Sequence, residues 1–350
     1  MLSTSGRLWD KITPSGTLTT LYNFCSEPDC TDGSAPYAGL MQGTDGDFYG
    51  TTSSGGANTN WEYCRSGCGT VFRISPSGAL KTLYSFCAQS ACSDGLVPIG
   101  GLLQATNGDF YGTTSGGGAK GGGTVFKITP GGTLTTLHTF CLISPGCTDG
   151  TGPTGGLVEA TDGSFYGTTS GDISAGTVFK ITPAGKLTTL YTFDSASGVN
   201  PQAGLIQALD GDFYGTTFNG GAEGCCHGTV FKITPGGVLT VLHSFCSESH
   251  CADGENPYAG LVQATDGSFY GATTIGGAKG GGTVFKITPT GTLTTLYSFC
   301  SQSNCADGNQ PWAGLVQGTD GDFYGTTYFG GATIYGCPSD NGCAPSSACP

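Results

Sequence analysis

Short runs in which apolar and polar residues alternate follow one another along the whole chain, each closed off by glycine, proline or aspartate. None keeps the apolar period of an amphipathic helix, so the pattern predicts strands throughout and no helix. The runs also repeat. Phe-Tyr-Gly begins at Phe48, Phe110, Phe165, Phe213, Phe269 and Phe323, five steps of 55 residues on average. Gly-Thr-Val-Phe-Lys/Arg-Ile begins at Gly69, Gly123, Gly176, Gly228 and Gly282, with a degenerate first copy around Trp9-Asp10-Lys11-Ile12. Such a period is too long for one rung of a β-helix and matches a propeller blade.

Each unit reads as four strands. Between Leu102 and Phe140, strand a is Gly-Leu-Leu-Gln-Ala, b is Phe-Tyr-Gly-Thr-Thr, c is Thr-Val-Phe-Lys-Ile-Thr and d is Leu-Thr-Thr-Leu-His-Thr-Phe. The a–b turn is Asn107-Gly108 here and Asp-Gly in the other five copies, while the c–d turn is Pro-x-Gly. Glycine accepts positive φ and proline presets φ, so both are tight-turn signals. Neither turn changes length. Strand-a Leu to strand-b Phe is 8 residues, and turn Pro to the last Phe of strand d is 10, in all six copies. Every length change falls in the b–c and d–a connections, which leave the same edge of an up-and-down blade. One face therefore carries tight turns and the other the variable loops, where function usually sits.

The expected fold is all-β: a six-bladed β-propeller with four antiparallel strands per blade. It forms one domain over residues 1–331, with strand a near residues 40, 102, 157, 205, 261 and 315. The chain opens on strands c and d (Arg7 to Phe24), and the repeats end on strands a and b (Gly314 to Thr327). Residues 7–24 are thus expected to complete the last blade, closing the ring with two strands from each terminus and removing exposed sheet edges. Residues 332–350 are expected to be a cysteine-containing tail.

In strand order the unit resembles the NHL and SMP-30/gluconolactonase propellers, where Asp-Gly-x-Leu-Tyr follows the a–b turn. More specifically, Ala-Gly-Leu-Val-Gln-x-Thr-Asp-Gly-x-Phe-Tyr-Gly-Thr-Thr, followed by Gly-Gly-Thr-Val-Phe-Lys-Ile-Thr-Pro-x-Gly-x-Leu, resembles the GloVer tandem repeat of exported bacterial "choice-of-anchor" proteins. That likeness covers Arg7 to about Gly331. It implies extracellular or cell-surface placement and supplies no activity. After Thr327 there is no apolar anchor segment, and the opening Met1-Leu2-Ser3-Thr4-Ser5-Gly6-Arg7 is not a signal peptide, so a leader would lie outside this sequence.

Composition narrows the partners. With 64 glycines and only 11% charged residues the chain is turn-rich, and its 37% hydrophobic content is enough for a packed core. The net charge is −13, and half of the twelve bases sit at one repeat position: Lys11, Arg73, Lys127, Lys180, Lys232 and Lys286. What remains is too sparse to track phosphates, so neither nucleic acid nor an anionic membrane surface is an expected partner, and no apolar run spans a bilayer. The oligomeric state is left open.

Seventeen cysteines add a compartment. Five pairs occupy the d–a loop: Cys25/Cys30, Cys87/Cys92, Cys141/Cys147, Cys246/Cys251 and Cys300/Cys305. The copy after Phe193 lacks both members and is shorter, as loss of a bonded pair requires. Disulfides are therefore expected, worth about 2 kcal/mol each for so short a loop, in a protein outside the reducing cytosol. Cys64/Cys68 staple the longest b–c loop. Cys225-Cys226-His227 is a weak metal corner, because three adjacent ligands close a tetrahedron poorly.

Candidate chemistry is thin. His138 and His243 stand where other copies place Tyr22, Tyr84, Tyr191 and Tyr297, so packing explains them. One strand-a position reads Gln42, Gln104, Glu159, Gln207, Gln263 and Gln317: a polar ring at the channel, or a hydrogen-bonded ladder between blades. Asp32, Asp94, Asp149, Asp253 and Asp307, each before glycine, read as turn caps, with calcium as their alternative role. The residue after the loop proline is unconstrained by the repeat: Tyr37, Ile99, Thr154, Gln202, Tyr258 and Trp312. Tyr37, Tyr258 and Trp312, with Trp61, Glu62 and Tyr63 on the longest loop, form a candidate ligand-binding sector. Flat aromatics beside amides suit sugar stacking or a peptide hot spot. The expected function is extracellular, non-catalytic binding of a glycan or protein, or a structural role, with no cofactor and no catalytic residue assigned. The alternative is a lactonase- or lyase-like hydrolase with a metal at the channel mouth, which needs further carboxylates beside Glu159.

Overall fold

The computed structural model describes residues 8–13, 15–60, 62, 64–141, 148–171, 175–222 and 226–331. Among them there is no α-helix, and the strands form five four-stranded and two two-stranded sheets. The first complete sheet runs β3 (Met41–Gln42), β4 (Phe48–Thr52), β5 (Thr70–Ile74), β6 (Leu80–Ser85), each strand hydrogen-bonded to the next in sequence. Four more repeat this order: β7–β10 within 103–141, β11–β14 within 158–192, β15–β18 within 206–244 and β19–β22 within 262–298. Strand a is shorter than its five-residue sequence signature, with two laddered residues in every blade. The described chain falls into two compact units that divide within the third blade. One takes the chain up to that point together with Val178–Thr189; the other takes Ala175–Thr177 and the chain from Leu190 onward.

The turns form as their residues dictate. At the a–b turn of the first complete blade, Gly46 at φ +86° donates its N–H to Gly43 O at 3.0 Å, and Gly43 N–H reaches Asp47 O at 2.8 Å. This is a type I turn closed by a left-handed glycine, the common three-residue hairpin. The c–d turn is built alike, with Gly132 at φ +96° donating to Thr129 O at 2.9 Å.

Within each unit the core is laid down between consecutive blades. Tyr49 of strand b stacks on Phe110 of the next strand b with centroids 4.1 Å apart, and Tyr214 stacks on Phe269 at 4.0 Å. The last Phe of strand d meets the strand-c Phe of the following blade edge-on, as Phe86 with Phe126 and Phe245 with Phe285, both at 5.2 Å. Each such pair adds about 0.5–1.5 kcal/mol beyond burial. The glycine of Phe-Tyr-Gly is required by this packing. A Cβ on Gly215 would stand 2.7 Å from Phe231 Cζ and 2.9 Å from Leu205 Cδ2.

The terminal hairpins are two-stranded sheets. By repeat register, β23 (Val316–Gln317) and β24 (Phe323–Tyr324) correspond to strands a and b of a blade, and β1 (Leu8–Ile12) and β2 (Leu18–Asn23) to strands c and d. Ile12 is 68% exposed and Tyr324 55%, whereas the matching Ile74 and Tyr214 of complete blades are at 0%.

Candidate functional site

The d–a loops carry the disulfides Cys25–Cys30, Cys87–Cys92, Cys246–Cys251 and Cys300–Cys305, and Cys64–Cys68 staples the first b–c loop. Cys141 is also disulfide-bonded, as is Cys226. Cys147, Cys225 and the cysteines of the tail lie outside the described residues. Both cysteines of each of these four d–a loops take left-handed backbone, for instance Cys246 at φ +61° and Cys251 at φ +50°. That conformation costs roughly 1–2 kcal/mol per residue, so other contacts must hold the loop.

The aspartate before glycine supplies them. Asp94 Oδ2 accepts the Tyr84 hydroxyl at 2.8 Å and the Ala88 N–H at 2.9 Å, while its Oδ1 takes the Gln89 N–H at 3.2 Å. Asp32 and Asp307 are held alike by Tyr22 and Tyr297. In two blades histidine replaces tyrosine: His138 Nε2 lies 2.9 Å from Asp149 and His243 Nε2 2.9 Å from Asp253. Burial opposes charge on Asp253, but the bonds from His243, Ser247 and Glu248 hold its carboxyl below the ordinary range. Burial, then the bond to Asp94, drives the Tyr84 phenol well above its ordinary value.

Backbone bridges tie five of the d–a loops to the b–c loop that follows: Ser34 with Ser54, Leu96 with Gly116, Val199 with Asn219, Glu255 with Ile275 and Asn309 with Phe329. The variable loops therefore share one edge of the sheets. On that edge the second unit carries a row of aromatic rings. Phe218 meets Tyr258 edge-on at 5.9 Å; Tyr258 and Trp312 lie 4.8 Å apart, tilted by 45°. Trp312 and Tyr328 follow at 5.7 Å and 38°, and Tyr328 meets Phe329 at 4.6 Å. Trp312 is 43% exposed and Tyr328 69%. The indole Nε1 points to Gln310 Oε1 at 3.4 Å, leaving both ring faces for packing.

Phe218 and Tyr328 were not among the expected residues. Both follow the strand-b Gly-Thr-Thr, a position that reads Ser53, Ser115, Ser170, Phe218, Thr274 and Tyr328. Two aromatics among small hydroxyls was the available signal. Of the other expected members, Tyr37 is 77% exposed in the first unit and Glu62 is exposed there too, while Trp61 and Tyr63 lie outside the described residues.

The strand-a amides make local bonds. Gln104 donates Nε2–H to Gly108 O at 3.3 Å across its own turn, and its Oε1 accepts the Thr44 N–H of the preceding blade at 2.9 Å. Gln263 does the same with Gly267 and with Leu209. Gln42, Gln207 and Gln317 reach Gly46, Gly211 and Gly321. Glu159 accepts from Thr106 N at 2.9 Å and Thr106 Oγ1 at 2.8 Å, one on each oxygen.

A second repeated set explains the basic residue of strand c. The turn aspartate, the strand-b tyrosine and the strand-c lysine converge, as in Asp266 with Tyr270 Oη at 3.1 Å and Lys286 Nζ at 2.7 Å. Lys286, then the Ser268 N–H, depresses the Asp266 carboxyl to about 2. Asp162 with Lys180 and Asp210 with Lys232 repeat the arrangement. No described helix is long and apolar enough to cross a membrane.

The Gloeobacter/Verrucomicrobia repeat matches residues 4–172 and again 144–337. No curated protein matches the sequence. Among solved structures, virginiamycin B lyase from Staphylococcus aureus is 15% identical, covers 84% of each chain and superimposes with a TM-score of 0.54. A candidate 6-phosphogluconolactonase from Bacteroides uniformis is 17% identical over 89% of this chain and 88% of its own, with a TM-score of 0.50. At these identities the likeness shows the fold alone, a β-propeller.

Proposed function

The chain belongs to the Gloeobacter/Verrucomicrobia repeat family, and on that footing we propose that it is an exported, non-catalytic carbohydrate-binding module. The observation that carries this reading is the Tyr258–Trp312–Tyr328 row, three rings spaced 4.8 and 5.7 Å apart on the variable-loop edge. The exposed rings of Trp312 and Tyr328, with the half-buried Tyr258 beside them, offer apolar surface for the C–H faces of sugar rings, with amides such as Gln310 nearby for hydroxyls. A net charge of −13 favours a neutral glycan over an anionic one. The multiple disulfides support placement at or beyond the cell surface. Both Glu159 oxygens are engaged by Thr106, which supports binding over hydrolysis at that position.

A screen of neutral and acidic polysaccharides, with and without calcium, tests the proposal. Saturable binding of a neutral glycan that quenches tryptophan fluorescence is expected. Binding only to protein ligands, or turnover of a lactone, overturns it.

A further inference from the structure

A second cluster of chemistry-bearing side chains adjoins the Phe218–Tyr258 end of the aromatic row, at the end of the fourth blade's b–c loop. His227 stands one residue before Gly228 and the strand-c Thr229–Ile233. Its Nδ1 is 2.9 Å from Glu255 Oε2, and that oxygen is 3.8 Å from Cys251 Sγ. Cys246 completes the group: the four donor atoms all lie within 4.8 Å of one another, and all four residues are half-buried.

The cluster is particular to this blade. Repeat register aligns His227 with Cys68, Gly122, Ala175 and Gly281, and Glu255 with Ser34, Leu96, Thr151, Val199 and Asn309. The d–a cysteine pair is thus shared, but an imidazole and a carboxylate over it occur here alone. Their backbones are pinned. Asn256 donates its N–H to His227 O at 2.8 Å, and its Nδ2 donates to Cys226 O at 2.7 Å and Phe218 O at 2.8 Å. Glu255 is bridged to Ile275 in both directions, and Cys251 O accepts the Gly254 and Gly277 N–H groups at 2.9 and 2.8 Å.

Two thiolates, one imidazole and one carboxylate are a zinc ligand set. Tetrahedral zinc with bonds of about 2.0–2.3 Å places its donor atoms about 3.3–3.8 Å apart, within the span of this cluster. While the sulfurs are bonded to each other they are not thiolates, and the set is incomplete. We propose that Cys246, Cys251, His227 and Glu255 form a Zn²⁺ site that is available only when the Cys246–Cys251 disulfide is reduced, so that reduction of this loop becomes metal uptake. A dithiol reductant would give two electrons and two protons to the disulfide and leave as its own disulfide. Zn²⁺ then displaces the two thiol protons as it binds, and reoxidation by a disulfide acceptor releases it.

The test is zinc protection from alkylation in the full chain, read by peptide mass mapping after mild reduction. Zn²⁺ is expected to slow iodoacetamide labelling of Cys246 and Cys251 at least tenfold and to leave Cys300 and Cys305, which lack the His–Glu pair, unchanged. His227→Ala and Glu255→Gln should abolish that protection while the far-UV spectrum stays native. Equal protection of Cys300/Cys305, protection that survives His227→Ala, or loss of the native spectrum on reducing this loop each overturns the proposal.

Discussion

His243 Nε2 lies 2.9 Å from Asp253 Oδ2, and the Asp253 side chain is fully buried. Tyr84 and Asp94 hold the same relationship at 2.8 Å, so an imidazole and a phenol serve interchangeably as the strand-d donor that anchors a disulfide loop. Asp253→Ala is expected to cost about 2–3 kcal/mol, because it leaves the half-buried His243 and the N–H groups of Ser247 and Glu248 without their acceptor. His243→Tyr should stay within about 1 kcal/mol of the parent, since it restores the donor used in other blades. Urea denaturation measures both. An Asp253→Ala variant as stable as the parent would show that the disulfide alone holds the loop.

Gly215 faces Phe231 and Leu205 at distances no Cβ tolerates. Gly215→Ala should therefore destabilise by about 1–3 kcal/mol through overpacking. Gly236→Ala, where the nearest atom is Thr234 Oγ1 at 3.8 Å, should be close to neutral. Thermal melts of the pair decide whether the Phe-Tyr-Gly glycine is a packing requirement.

The depressed carboxyls set the acid limit. Asp45, Asp162, Asp210, Asp253 and Asp320 are all held below their ordinary value, and Asp266 is lowered to about 2. A carboxyl whose folded pKa is lowered stabilises fully above its unfolded value and loses that contribution as pH falls through the folded one. The protein should remain folded at pH 4 and lose stability between about 3.8 and 2, the Asp266 window. Circular dichroism across that range checks it; a transition above pH 5 would assign acid unfolding to other groups.

Trp312 is the centre of the aromatic row. For any glycan that binds, Trp312→Ala should weaken affinity about tenfold or more, a loss of about 1–3 kcal/mol, with little change in melting. Tyr328→Ala should weaken it in the same direction, and Trp61→Ala tests whether the longest loop contributes. Tyr166→Ala, at 0% exposure in the third blade, should instead cost about 3–5 kcal/mol of stability. Calorimetric titration of the four variants separates the roles. Unaltered binding by both Trp312→Ala and Tyr328→Ala removes the row from the site.

The strands, the turns and the blade were legible in the order of residues along the chain. Those depend on neighbours in the chain: the glycine that accepts φ +86° after the turn aspartate, the apolar alternation of β4 and β5, and cysteines five residues apart. That order also showed that Tyr258 and Trp312 escape the repeat. It did not pair His243 with Asp253, Lys286 with Asp266, or His227 with Glu255, and it passed over Phe218 and Tyr328. Those relations join residues 10 to 28 positions apart in the hydrogen-bonded pairs, and, at Phe218–Tyr258 and Tyr258–Trp312, rings from adjacent blades. Only the fold brings such residues together, because side-chain contact across loops is fixed by how blades pack and not by the local period that makes each strand.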